Sequence, residues 1–214
     1  MNRIVMLEGC DRTGKSSFIG YLEDKIRKEG YIPITFHLMG PTKFQGFQFD
    51  NDDKSLIQLA KFNDEYDLIF EMLRSDPRII IILDRTSFGE FIWTKYWNRT
   101  GKYTDYVTSS EFIEKHRKLM DVSIYIEYYM SDIDTLEKRI KDSEEDTKIF
   151  TINNYSIREN IQYVYDLYED LEKIVKSNGL KYIKIDSSKF KTLYDVKEYV
   201  NDDINFNHIL FMKW

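Results

Sequence analysis

The stretch Ile4-Val5-Met6-Leu7-Glu8-Gly9-Cys10-Asp11-Arg12-Thr13-Gly14-Lys15-Ser16 decides how the rest of the chain is read. Four consecutive apolar residues fit a short strand covered on both faces. Gly9 to Ser16 then match the pattern GxxxxGK[ST]. That spacing has a mechanism. Glycines let successive backbone N–H groups point inward and cradle phosphates, which rest at a helix N-terminus. Lys15 reaches the transferring β and γ oxygens, and the Ser16 hydroxyl holds Mg2+. The motif follows a strand and opens helical material from Lys15 to Lys28, which is the context it requires. Gly9, Asp11, Arg12, Thr13, Gly14, Lys15, Ser16 and Ser17 are therefore the expected nucleoside triphosphate site.

Outward from this loop, short apolar runs alternate with helix-length amphipathic stretches. Ile32 to Leu38 reads as a second strand, and a long helix follows from about Lys54 to Arg74. Leu56, Leu59, Phe62, Tyr66, Ile69, Phe70 and Leu73 fall on one face of that helix. Ile79-Ile80-Ile81-Ile82-Leu83 is continuously apolar and predicts a central strand. Helices are expected from about Phe88, from about Ser109 to Met120, from a Ser131 cap to about Lys141, and from Ile157 to Lys176. Strands are expected at Val122 to Tyr128 and Tyr182 to Ile185, with a final helix near Leu193 to Val200. Such βαβ alternation predicts an α/β fold, a five-stranded parallel sheet with helices on both faces, as one domain over 1–214.

Asp84-Arg85 follows the Ile79–Leu83 run directly. In an open parallel sheet, ligands sit at the carboxyl ends of the strands. If the first and third strands are neighbours, Asp84 lies near Ser16, where it organises a magnesium shell or accepts a proton. Arg85 there clamps a phosphate bidentately. An ordinary surface ion pair is the alternative reading of the dipeptide.

Composition narrows the classes. The chain has 31 basic and 37 acidic residues, a net charge of −6, so a general nucleic-acid coat is disfavoured. Charge for an anionic substrate must then be gathered locally. With 42% hydrophobic and 15% aromatic residues, the chain folds rather than staying disordered. No run approaches the roughly 18 apolar residues of a membrane helix, so no membrane association is expected. One cysteine, Cys10, forms no internal disulfide. A cytoplasmic location is the simplest expectation. His37, His116 and His208 show no metal-ligand spacing, and Cys10 reads as a variable loop position rather than a nucleophile. Phe206 to Trp214 reads as an apolar segment that docks on the body or on a partner subunit.

Leu7-Glu8-Gly9-Cys10-Asp11-Arg12-Thr13-Gly14-Lys15-Ser16-Ser17 resembles the phosphate loop of thymidylate kinases. Asp84-Arg85 resembles that family's Asp-Arg pair, and Tyr182-Ile183-Lys184-Ile185-Asp186-Ser187-Ser188 its late strand. The resemblance spans essentially the whole chain and implies a P-loop kinase that passes the γ-phosphoryl of ATP to a deoxynucleoside monophosphate, dTMP being the first guess. It implies that Lys15 and Ser16 serve ATP and Mg2+, with Asp84 close to the metal. It implies that Asp11 lies near the acceptor sugar, Arg12 near the moving phosphate and Arg85 on the acceptor phosphate. Arg12, Lys15, Asp84 and Arg85 would then carry catalysis.

Resemblance also implies a mobile lid at about 139–158, from which Arg139 closes on ATP, and a homodimer. Among the acidic residues of that segment, Asp142, Glu144, Glu145 and Asp146 read as a solvated, self-paired face. Phe62 or Tyr66 would stack on the acceptor base, the alternative being that both are core residues, and Pro41 would line its pocket. The chain departs from the family in having no arginine between Tyr66 and Arg74 to read a base, in Met39-Gly40-Pro41-Thr42, and in Thr86. The rival expectation is a deoxynucleoside kinase acting on a 5′-hydroxyl, and a third is a nucleotide-binding protein without turnover.

Overall fold

A computed structural model describes residues 3–37, 52–98, 105–106, 109–116, 121–151 and 154–190, and of 52–63, 113 and 115 the backbone alone. The apolar runs become strands: β1 (Ile4–Glu8), β2 (Ile32–His37), β3 (Ile79–Asp84), β4 (Ser123–Tyr129) and β5 (Lys181–Asp186). They form one parallel sheet in the order β2-β3-β1-β4-β5. Seven helices connect the described strands: α1 (Lys15–Lys28), α2 (Asp52–Ser75), α3 (Gly89–Tyr96), α4 (Ser110–Lys115), α5 (Ile133–Lys141), α6 (Glu144–Phe150) and α7 (Ile157–Ser177). This is the expected α/β P-loop architecture.

Alternation along each strand divides the core in two. Val5, Leu7, Ile80, Ile82 and Ile126 pack on Phe18, Leu22 and Ile26 of α1. On the other face Ile4, Met6, Ile81 and Leu83 meet Ile69 of α2, Ile92 of α3 and Val164 and Leu171 of α7. Because helices cover both faces, Ile80 to Leu83 are wholly buried. Each such side chain contributes about 1.5–3 kcal/mol relative to exposure. β1 lies between β3 and β4, so the loop leaving it sits at the middle of the sheet's carboxyl edge.

Helix α7 starts at a reciprocal cap: Ser156 Oγ accepts from the Glu159 N–H (3.2 Å), and Glu159 Oε2 accepts from the Ser156 N–H (2.7 Å). Helix α5 corrects one expectation. Its cap is Asp132, whose Oδ1 accepts from the Thr135 N–H at 3.0 Å, while the Ser131 hydroxyl pairs with Ser188 Oγ at 2.6 Å. A carboxylate at this position also complements the positive helix end. The helix expected near Leu193–Val200, the tail 206–214 and Pro41 lie outside the described residues. No helix among the described residues is long and apolar enough to cross a membrane.

Candidate nucleotide site

Two glycines shape the loop between β1 and α1. Gly9 has φ 147°, and a Cβ there would run into the Tyr128 carbonyl of β4, so the loop lies directly on the neighbouring strand. Gly14, at φ 102°, turns the chain into α1. Between them the loop closes on itself. Thr13 Oγ1 donates to the Cys10 carbonyl at 2.9 Å, and Lys15 Nζ donates to the Gly9 and Cys10 carbonyls at 2.8 and 2.7 Å. The Lys15 side chain is buried. Burial, and next the Arg85 charge, lower its pKa.

The end of β3 lies beside this loop because Leu7 and Asp84 are register partners and the Arg85 N–H donates to the Leu7 carbonyl at 2.9 Å. Arg85 Nη2 pairs with Asp11 Oδ1, and its guanidinium lies 5.5 Å from the Trp93 ring centroid. Burial opposes the Arg85 charge, but Asp11 and then Glu8 outweigh it, and its pKa is raised. On the opposite wall, Arg12 Nε pairs with Asp146 Oδ2 of α6, and Arg12 Nη2 donates to Ser143 Oγ at 2.6 Å. Arg139 Nη1 donates to the Arg12 carbonyl at 3.3 Å. Both Arg12 (φ 63°) and Arg85 (φ 69°) have left-handed backbone, a conformation costing of order 1–3 kcal/mol at a non-glycine residue.

Asp11, Arg12, Gly14, Lys15, Arg85 and Asp146 line a cleft of about 370 Å³ that also holds Ser16, Ser17, His37 and Asp84, while Arg139 lies outside it. Three cations meet there in an acidic chain, each resting against an internal acceptor. Lys15 lies on loop carbonyls, Arg85 on Asp11 and Arg12 on Asp146. An anion drawing on any of these cations would have to displace its internal acceptor.

Beneath the cleft, Glu8 is wholly buried, its Oε1 accepting from the Thr86 N–H (2.5 Å) and hydroxyl (3.1 Å). Burial pushes its carboxyl up to about 7, against the pull of Arg85 and Thr86. Burial likewise raises the Cys10 thiol to about 12, which fits an inert position.

Of the residues expected from sequence, the cleft gathers Asp11, Arg12, Gly14, Lys15, Ser16, Ser17, Asp84 and Arg85. Gly9 and Thr13 shape the loop from behind rather than lining it. Tyr66 is buried in the core, where its hydroxyl pairs with Ser87 Oγ at 2.5 Å, and it does not line this cleft. The Phe62 side chain lies outside the described residues. The acidic face expected at 142–146 is corrected at one position: Asp146 is buried and turned onto Arg12.

Two cleft residues were not expected, His37 and Asp146. The register of β2 on β3, which sets His37 beside Asp84, could have pointed to the first. Nothing local in sequence pointed to the second.

No protein-family model matches the sequence, and no curated protein matches it. Solved structures do. The YorR protein of Bacillus subtilis, in complex with phosphorylated GDP, is 16% identical with a TM-score of 0.58, covering 96% of this chain and 98% of its own. Thymidylate kinase from Ehrlichia chaffeensis is 18% identical with a TM-score of 0.54, covering 96% and 94%. Deoxyadenosine kinase from M. mycoides with bound dCTP is 17% identical with a TM-score of 0.51, covering 95% and 99%. At these identities the shared property is the fold.

Proposed function

We propose that this chain is a nucleotide kinase that transfers the γ-phosphoryl of ATP to a deoxynucleoside monophosphate, dTMP being the first acceptor to try. The observation that carries the reading is the convergence of Arg12, Lys15 and Arg85 on one cleft at the loop's mouth, in a chain of net charge −6. Phosphoryl transfer asks the protein chiefly for in-line positioning and positive charge on the moving oxygens. Lys15 leaves its loop carbonyls to hold the donor oxygens, Arg12 neutralises charge on the transferring group, and Arg85 orients the acceptor phosphate.

The donor set also suits magnesium. Ser16 and Asp84 are hard oxygen ligands on one cleft. Asp84 Oδ1 is buried without a hydrogen-bond partner among the described residues, a state that a cation or its water shell would relieve. Among the described residues no cluster of three metal-binding side chains exists. That fits a metal held by one or two protein oxygens together with substrate phosphates. Ser16 and Asp84 would hold magnesium, which when bound would supply positive charge to the phosphates.

A second reading, transfer to the 5′-hydroxyl of a deoxynucleoside, is favoured by Asp84, a cleft carboxylate able to take the hydroxyl proton. Purified protein with Mg-ATP and each common deoxynucleoside and deoxynucleoside monophosphate, followed by ADP release, tests both. Turnover on a monophosphate with nucleosides silent supports the first reading and identifies the base. Turnover on nucleosides alone replaces it with the second, and silence throughout refutes both.

A further inference from the structure

His37 is the last residue of β2, and its register partner is Asp84, the last residue of β3. Its Nδ1 lies 2.7 Å from Asp84 Oδ2, so the ring N–H donates to that oxygen. The other oxygen, Oδ1, is buried with no hydrogen-bond partner among the described residues. Both residues line the cleft with Lys15 and Ser16.

The pair is a poor stabilising device. The His37 side chain is 47% exposed, and ion pairs in such settings contribute little to folding. What it does constrain is rotation. An aspartate at a strand end has a broad terminal torsion, and without a partner on Oδ2 the largely buried Asp84 carboxylate could rotate about it. Holding one oxygen leaves the other committed to a single direction before any ligand arrives. Partners of ligating carboxylates act in this way, orienting the ligand and setting its affinity.

We infer that His37 is a positioning residue: by holding Asp84 Oδ2 it presets the carboxylate for the divalent cation that accompanies the donor nucleotide. The inference rests on the magnesium reading given above. His37 touches neither nucleotide nor metal in this role, and Asp84 does. A histidine at the end of β2 therefore belongs to the metal shell of the site, although its spacing in the sequence shows no ligand pattern.

The test compares wild type, His37→Ala and His37→Asn, since asparagine offers an amide N–H where Nδ1–H stood. Each is mixed with a non-hydrolysable ATP analogue, and Mn2+ is titrated while free Mn2+ is read by electron paramagnetic resonance. Analogue binding without metal and thermal midpoints are measured alongside. His37→Ala should weaken Mn2+ in the ternary complex by about 10-fold or more, the usual effect of losing an outer partner. His37→Asn should recover most of that loss, with metal-free analogue binding and thermal midpoints unchanged in both variants. Wild-type Mn2+ affinity in His37→Ala, or equal loss in both variants, overturns the role assigned to His37. If the wild-type complex itself holds Mn2+ no better than the free analogue does, the magnesium reading fails and takes this inference with it.

Discussion

Asparagine at position 146 would remove a negative charge from the cleft while keeping the shape of the side chain. Asp146 holds Arg12, and it lines the space a polyphosphate would enter. Two effects favour the nucleotide in the Asp146→Asn protein. The Arg12–Asp146 pair no longer has to be broken. With the Arg12 side chain 50% exposed and that of Asp146 12% exposed, the pair is discounted toward a surface value of about 0.5–1 kcal/mol. Repulsion between the carboxylate and a phosphate charge is also removed. For an illustrative separation of about 8 Å this amounts to about 0.5–2 kcal/mol, depending on whether the medium behaves like water or like a protein surface. Together they predict tighter donor binding by about 1–3 kcal/mol, or roughly 5- to 150-fold. Isothermal titration of a non-hydrolysable ATP analogue into both proteins measures it directly. The gain should shrink in 1 M salt, where the screening length is about 3 Å. Equal or weaker binding by a folded Asp146→Asn protein would refute the idea that Asp146 and phosphate compete for Arg12.

Replacing Arg12 or Lys15 by alanine should lower turnover by roughly 10²–10³, the usual scale for losing one charge-stabilising donor. Steady-state ADP release on the best acceptor measures it, and near-normal turnover in folded Arg12→Ala would remove Arg12 from the mechanism. Glu8 links folding to pH. Its carboxyl rises from 4.5 to about 7 on burial, so the folded state favours the protonated form. That contribution is complete below pH 4.5 and disappears as pH rises through about 7, a loss of about 3 kcal/mol. The thermal midpoint of wild type should therefore fall by several degrees between pH 5 and 8 relative to Glu8→Gln, and parallel curves would show that Glu8 is not the group responsible. Tyr66→Phe should cost about 1 kcal/mol in denaturant unfolding by deleting the bond to Ser87. Its base preference in the acceptor panel should match wild type, whereas a changed preference would return Tyr66 to the acceptor site.

The strands along the chain and the place of the loop were legible because the decisive patterns are local. Ile79 to Leu83 can only be buried on both faces, and Gly9 to Ser16 encodes its own backbone path. Asp84 and Arg85 were legible one step removed, through the expectation that β1 and β3 are neighbours, which their register bears out. Asp146 was not legible. It stands among four acidic residues at 142–146, and only the fold of α6 against the loop distinguishes it from the others by burying it on Arg12. Tyr66 shows the same limit from the other side. Helical spacing assigns it to an apolar face, but whether that face meets a base or the core depends on Ser87, twenty-one residues away.

Among the described residues the non-glycine positions with positive φ are Arg12, Arg85, Asn98 and Asn154. Asparagine tolerates that region, whereas arginine has no such dispensation. The consequence concerns directed evolution. Arg12 is half exposed, so glycine there would relieve strain with little loss of packing, and a library sorted for heat resistance alone should enrich that substitution. The survivors would be sturdier proteins stripped of one of the cleft's three cations, and only a screen that also scores phosphoryl transfer would keep Arg12.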